Sequence, residues 1–421
     1  MRARLIPDTL SARATSSRWR WRTRPAVQVW LRSAVEGEDD DLDVVNGVNR
    51  DDLHQLQSTL VWADVVCVGV SPCQWLQQAE GATDENELTS FMAVLRQCRS
   101  LVTLELAGDP DDERVIGGDE LEALSAVLPA LTNLRNLDLS GHGLETEWAP
   151  LFDVLPHCPS LARLDLSDNL VDHDDMADLW TALQTCTHIQ DLQIDNNMWV
   201  LRNAEIPVPS ADLGLTRLAL NGVWEVDRDD DEAVTWQAGV LRRCPSLASL
   251  ELRGNIRLDG ADMVRFAAAL GTCTRLTSLD ISGNLEGTMP WCFEVLPRLP
   301  RLRELKLAMH FAQSTGPAYF HGLVDVLGRC TALSSLDLSH NFPGQKYPAL
   351  LRALRRNCPL QELTITHTGL GSHFGFLELI LPFFVHLRKL RVAKNGLSDA
   401  EVARLRARRS PTQQAQLAIL A

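Results

Sequence analysis

The 421-residue chain has no apolar run approaching the roughly 18–20 residues that a membrane-spanning helix needs. Its most apolar stretch, residues 374–385, is interrupted by Glu378 and Pro382 and reads as a buried helix near the C-terminal end. It lacks positive charge: 40 Lys and Arg stand against 55 Asp and Glu, a net charge of −15. That balance suits a soluble acidic chain and argues against a general affinity for nucleic-acid backbone. The phosphate-binding G-x-x-x-x-G-K-[ST] loop, the G-x-S-x-G elbow, the H-E-x-x-H pair and the kinase motifs are all missing. No catalytic residue and no cofactor is therefore expected. Cys67, Cys73 and Cys292 lack zinc-type spacing, and Asp109, Asp111, Asp112 and Glu113 do not fall into a calcium-loop pattern, so no metal site is expected either.

What the chain does have is a nonapeptide, Leu161-Ala162-Arg163-Leu164-Asp165-Leu166-Ser167-Asp168-Asn169. Its frame, apolar-x-x-apolar-x-apolar-x-x-Asn, recurs from Leu101, Leu134, Ile189, Leu215, Leu247, Leu276, Leu302, Leu333, Leu360 and Leu387. Such a period signifies a stack of like units. The Leu164–Leu166 step, positions four to six, is expected to form a short strand whose side chains alternate between faces. Positions one, four and six turn inward, and positions three, five and seven turn to solvent. One unit cannot bury its own apolar face, so neighbours must stack.

Position nine is Asn at 169, 197, 255, 284, 341 and 395, with Asp109, His142, Val223, His310 and Thr368 at the others. A buried amide there can bond backbone of its own turn and of the next coil. Cys98, Cys158, Cys186, Cys244, Cys273 and Cys330 each sit three residues before a frame, where other units carry Leu131, Leu299 or Phe384. A column that accepts Leu and Phe is a core column, so these thiols are expected to be buried rather than paired. Abundant unpaired cysteine points to the cytoplasm or another reducing intracellular compartment. Between frames, Leu151, Leu155 and Cys158, Phe266, Leu270 and Cys273, and Leu323, Leu327 and Cys330 follow i, i+4, i+7, the stripe of an amphipathic helix.

On these residues the chain resembles the leucine-rich repeat proteins of the ribonuclease-inhibitor-like class. The resemblance implies an α/β fold: a right-handed solenoid, or horseshoe, with a parallel sheet on the concave face and helices on the convex face. It fixes no function.

Four regions follow. Residues 1–24 are a basic arm with Trp19 and Trp21 among Arg18, Arg20 and Arg22. A flexible arm, an organellar transit peptide, and a docking arm for an acidic or nucleic-acid partner all stay open for it. Residues 25–98 form an irregular N-terminal cap, with strands at 27–31 and 65–70 and a helix at 51–59. About eleven repeats occupy residues 99–397. Residues 398–421 are a C-terminal helical cap with a loose tail. Within the array, residues 198–236 break the pattern with Pro207, Pro209 and the acidic run 227–232, and are the best candidate for a special surface.

Position five reads Glu105, Asp138, Asp165, Gln193, Ala219, Glu251, Asp280, Lys306, Asp337, Thr364 and Arg391, and Asp191 and Asp195 flank Gln193. The first seven members include no base. Glu105, Asp138, Asp165, Asp191, Gln193, Asp195, Glu251 and Asp280 are thus the candidate partner-binding residues, forming a groove for a basic protein segment. The favoured function is a non-catalytic protein-interaction scaffold. Two alternatives remain. The Cys-Pro-Ser-Leu-x-x-Leu-x-Leu form resembles repeats of F-box proteins, the substrate-recognition subunits of ubiquitin ligases, although residues 1–60 show no F-box. Ran GTPase-activating proteins resemble this fold and use an arginine finger, but Arg163, Arg217 and Arg253 carry no further signature of one.

Overall fold

The computed structural model describes residues 27–33, 43–48, 65–70, 92–93, 95–108, 117–142, 148–171, 173–197, 208–222, 238–254, 260–284, 294–309, 317–341, 343, 346–357, 359–408 and 418–420. The helix expected at 51–59 and the irregular stretch from 198 to 207 and 223 to 236 lie outside them, as do Trp199, Trp224 and the basic arm. The chain divides into two compact units, Met1–Trp199 and Val200–Ala421, where the sequence suggests one array.

In the first unit, β1 (Val27–Ser33) lies antiparallel between β2 (Asp43–Val48) and β3 (Val65–Val70). β3 then pairs in parallel with β4 (Thr103–Glu105), and β5 (Asn136–Asp138), β6 (Arg163–Asp165) and β7 (Asp191–Gln193) continue the ladder. An antiparallel hairpin strand thus closes the N-terminal side of a parallel sheet. The second unit carries β8 (Arg217–Ala219), β9 (Ser249–Glu251), β10 (Ser278–Asp280), β11 (Glu304–Lys306), β12 (Ser335–Asp337), β13 (Glu362–Thr364), β14 (Lys389–Arg391) and β15 (Ala418–Leu420), each parallel to the next.

Register is fixed by the leucine frame. Leu104, Leu137, Leu164 and Leu192 stand opposite one another in the first unit and are at most 1 % exposed. Leu218, Leu250, Leu279, Leu305, Leu336, Leu363 and Leu390 do the same in the second. A slip of one residue would turn each set out to water.

Helices connect the strands: α1 (Gly118–Ser125), α2 (Ala149–Val154) and α3 (His173–Thr185) in the first unit, α4 (Gly260–Leu270), α5 (Pro317–Leu327), α6 (Tyr347–Asn357), α7 (Phe374–Ile380) and α8 (Asp399–Ala407) in the second. α2 is shorter than its stripe suggests, because Pro156 tightens the last turn into the 3-10 helix Leu155–His157. Ser398 and Glu401 form a reciprocal capping box that starts α8.

The loose end expected at Ser410-Pro411-Thr412 lies outside the described residues. The described residues of the tail return to the sheet as β15, with Ile419 5 % exposed and its carbonyl accepting from Arg406 at 3.1 Å. Position one of that coil is Gln416, which hides it from a leucine search. The 374–385 segment also departs from a fully buried helix, since Leu379, Phe383 and Val385 face water.

Candidate functional site

The turn after each strand orders the open face of the sheet. Position eight is left-handed in both units: φ is 57° at Asp168, 54° at Asn196, 59° at His340, 52° at His367 and 57° at Lys394, with Gly141 and Gly283 adopting it at 79° and 77°. The chain then descends to position nine. The Asn169 amide donates to the carbonyls of Leu139 at 2.9 Å and Leu166 at 3.0 Å, and its Oδ1 accepts from the His142 backbone at 3.0 Å. Asn197, Asn284, Asn341 and Asn395 repeat the double donation, each to its own turn and to the coil before it. The partner coil is the preceding one, not the next as expected. Where the column lacks Asn, another side chain serves. His142 Nε2 lies 2.6 Å from the Leu106 carbonyl, which makes that nitrogen the donor, and Thr368 donates to the Ile365 carbonyl at 3.0 Å.

A ladder of buried position-nine side chains between parallel leucine strands and outer helices decides the family. The chain is a leucine-rich repeat protein. No family model matches it. It is 27 % identical over 247 residues to Protein NLRC5 of Ictalurus punctatus, covering 57 % of this chain and 13 % of that protein. It is 27 % identical over 328 residues to NACHT, LRR and PYD domains-containing protein 5 of Bos taurus, covering 74 % of this chain and 28 % of that protein. The chain therefore spans less than a third of either relative. Among solved structures, the internalin inlF of Listeria monocytogenes aligns at a TM-score of 0.40 and 15 % identity, over 88 % of this chain and 92 % of that one. The leucine-rich repeat-containing protein LegL7 of Legionella pneumophila aligns at 0.44 and 17 %, over 82 % and 95 %.

In this leucine-rich repeat protein the open face of the first unit carries five of the expected acids. Glu105, Asp138 and Asp165 stand on adjacent strands in register, with Gln193 completing the row. Neighbouring strands lie about 4.8 Å apart. Asp191 flanks the row at position three and Asp195 at position seven. The Arg163 guanidinium reaches Asp165 at 3.7 Å and Asp191 at 3.9 Å, both longer than a hydrogen bond. Asp138 accepts from the Ser140 backbone and hydroxyl at 3.0 and 2.7 Å, and Asp165 accepts from the Ser167 backbone at 3.1 Å. The Ser167 hydroxyl accepts in turn from the Asp195 backbone at 3.1 Å. Burial pushes the Asp165 carboxyl above the usual range, and the Asp138 charge adds to that push. Like charges on one row raise each other's cost of ionisation.

The second unit is different. Glu251 accepts from Arg217 at 2.9 Å and from Arg253 at 2.7 Å. Asp280 accepts from Arg253 at 2.6 Å and has Lys306 at 3.7 Å. Lys306 also lies 3.4 Å from Glu304, and Lys389 lies 3.3 Å from Glu362. This is a ladder of alternating charge along one sheet face. The sequence expectation is thus corrected at two of its residues: Glu251 and Asp280 are ion-paired and do not form an acidic groove. Position five also fails to face solvent at Asp165 and Asp280, which are 8 % and 2 % exposed. The arginines that neutralise the row stand at positions three and seven. Their signal was legible, but only by reading three positions across neighbouring repeats rather than one position down the array.

The same ion pairs engage the arginines weighed as fingers: Arg217 and Arg253 are both committed to Glu251. The cysteine column behaves as expected. Cys98, Cys158, Cys186, Cys244, Cys273 and Cys330 are buried, and burial lifts the Cys98 thiol to about 12 and those of Cys158, Cys273 and Cys330 to about 11. Such thiols are poor nucleophiles. Among the described residues no helix is long and apolar enough to cross a membrane.

Proposed function

We propose that the chain is a non-catalytic scaffold whose first unit receives a basic segment of a protein partner on its open sheet face. The observation that supports this most directly is the in-register pair Glu105 and Asp138, with Asp191 and Asp195 nearby on β7 and its turn and the buried Asp165 between them. Parallel strands hold these carboxylates at fixed spacing, so a lysine- or arginine-bearing strand or loop meets a preformed array. Such complementarity governs encounter rate and register more than affinity. The buried thiols suit a reducing compartment.

The test is affinity capture by the intact protein, compared with a Glu105→Lys, Asp191→Lys, Asp195→Lys variant. Glu105 is exposed and Asp191 and Asp195 are half-buried, and circular dichroism checks that the variant is folded before capture. Partners bound through the face should be rich in Lys or Arg, be lost from the variant, and dissociate as salt rises. Equal capture by the variant would remove the proposal.

A further inference from the structure

The outer helical layer of the second unit holds an apolar strip that the scaffold's sheet face does not use. Leu379, Phe383 and Val385 are 68, 55 and 60 % exposed. Leu379 and Phe383 are one turn apart along α7 and the 3-10 helix Leu381–Phe383 that extends it, so they share a face. Single exposed apolar residues need no explanation, but a cluster does.

The strip lies between two pairs of guanidinium groups. On the α6 side, Arg352 stands 5.0 Å over the Phe376 ring and Arg355 4.9 Å over the Phe383 ring. On the α8 side, Arg404 and Arg408 reach the Glu378 carboxylate at 3.8 and 3.1 Å, and Arg404 stands 4.8 Å over Phe374. Glu378, the acid in the strip, is thereby neutralised. Residues 346–409 hold twelve Lys and Arg against four Asp and Glu, in a chain whose net charge is −15. Four of these bases, Arg352, Arg355, Arg404 and Arg408, flank the apolar strip, whereas Lys389 and Arg391 stand on the sheet strand β14.

We infer that this strip is a docking site for an acidic amphipathic helix of a partner protein, its apolar side chains covering Leu379, Phe383 and Val385 and its carboxylates meeting the flanking arginines. Apolar anchors at helical spacing in a groove are a recurrent mode of helix recognition. Guanidinium forks held over rings or against Glu378 have fixed spacing, which suits carboxylates on one helix better than the diffuse charge of a lipid surface.

The experiment selects short peptides from a random display library on the full chain. It then measures binding of the enriched peptides to the wild type, to Leu379→Glu/Phe383→Glu, and to Arg352→Glu/Arg355→Glu. The enriched peptides should combine apolar residues at i, i+4 spacing with Asp or Glu, and should bind each folded variant at least about tenfold more weakly, as anchor losses do. The two variants alter different elements, so a folding failure of one leaves the other to decide. Enrichment of no peptide, enrichment of neutral or basic peptides, or equal binding by a folded variant would overturn the inference. In a parallel arm, the wild type should not sediment with phosphatidylserine–phosphatidylcholine vesicles. Sedimentation that the variants abolish would assign the strip to membranes and overturn it too.

Discussion

Arg253 donates from its Nε to Asp280 at 2.6 Å, across one step of the parallel sheet and 27 residues along the chain. The same guanidinium reaches Glu251, at the end of β9 in its own repeat, at 2.7 Å. One side chain thus neutralises two acids of a row whose first seven members include no base. Asp280 is 2 % exposed, and Arg253 is the nearest of its ion-pair partners. Arg253→Ala should lower the stability of the second unit more than Arg217→Ala does. An exposed pair contributes about 0–1 kcal/mol, whereas stranding a buried carboxylate adds its desolvation. Lys306 at 3.7 Å limits the damage. Thermal melts of both variants decide: equal shifts would contradict the assignment.

Leu279 sits at the centre of its strand, is fully buried, and faces Leu250 and Leu305 across the ladder. Leu279→Ala should cost about 2–5 kcal/mol. Urea unfolding of the second-unit transition measures it, and a loss below about 0.5 kcal/mol would deny the core its leucine stack.

Asn169 bridges two coils through one carboxamide. Asn169→Leu would keep the branched shape and remove the partners of the Leu139 carbonyl and of the His142 N–H, while the Leu166 carbonyl keeps the Asn197 amide at 3.1 Å. Each buried group left unsatisfied costs about 1–3 kcal/mol. The variant should melt well below the wild type although it is more apolar, and its hydrogen exchange should rise at residue 142 first. An unchanged melting temperature would mean that the ladder is ornamental.

His142 fills position nine, fully buried, and burial lowers its pKa from the ordinary 6.5. The folded chain keeps the ring neutral, while the unfolded chain takes up a proton as the pH drops past 6.5. Its contribution to stability is therefore complete above that pH and is lost as the pH falls towards the depressed folded value. Melting temperatures at pH 7.5 and 5.5 should differ more for the wild type than for His142→Asn, which keeps an amide in the column. Equal differences would show that the ring is already free to protonate.

The six described column thiols should resist alkylation at pH 8 in the native protein and react on unfolding. Peptide mapping of iodoacetamide adducts reads each site, since burial holds Cys98 near 12 and Cys158, Cys273 and Cys330 near 11. Rapid native labelling at Cys158 or Cys273 would place that thiol at the surface.

Much of this was legible in the chain. The frame places every described position-one and position-four leucine in the core, because a side chain's face follows from its place in a period-two strand. The cysteine slots were legible for the same reason: Leu131 and Leu299 fill them elsewhere and are buried. β15 was not legible, because Gln416 occupies its first frame position and only pairing to β14 reveals the coil. The exposure of Leu379, Phe383 and Val385 was not legible either. An apolar run carries no mark of which members find a neighbour, and α6 and α8 leave part of α7 uncovered.

The sequence by itself determined a stack of strand-and-helix coils with an amide ladder and buried thiols, since each of these depends on a residue's position within its own repeat. Only the tertiary structure decided that Glu251 and Asp280 are held by guanidinium groups. Charge pairing runs sideways between repeats about thirty residues apart, and whether a guanidinium reaches a carboxylate is a matter of distances that no single repeat contains.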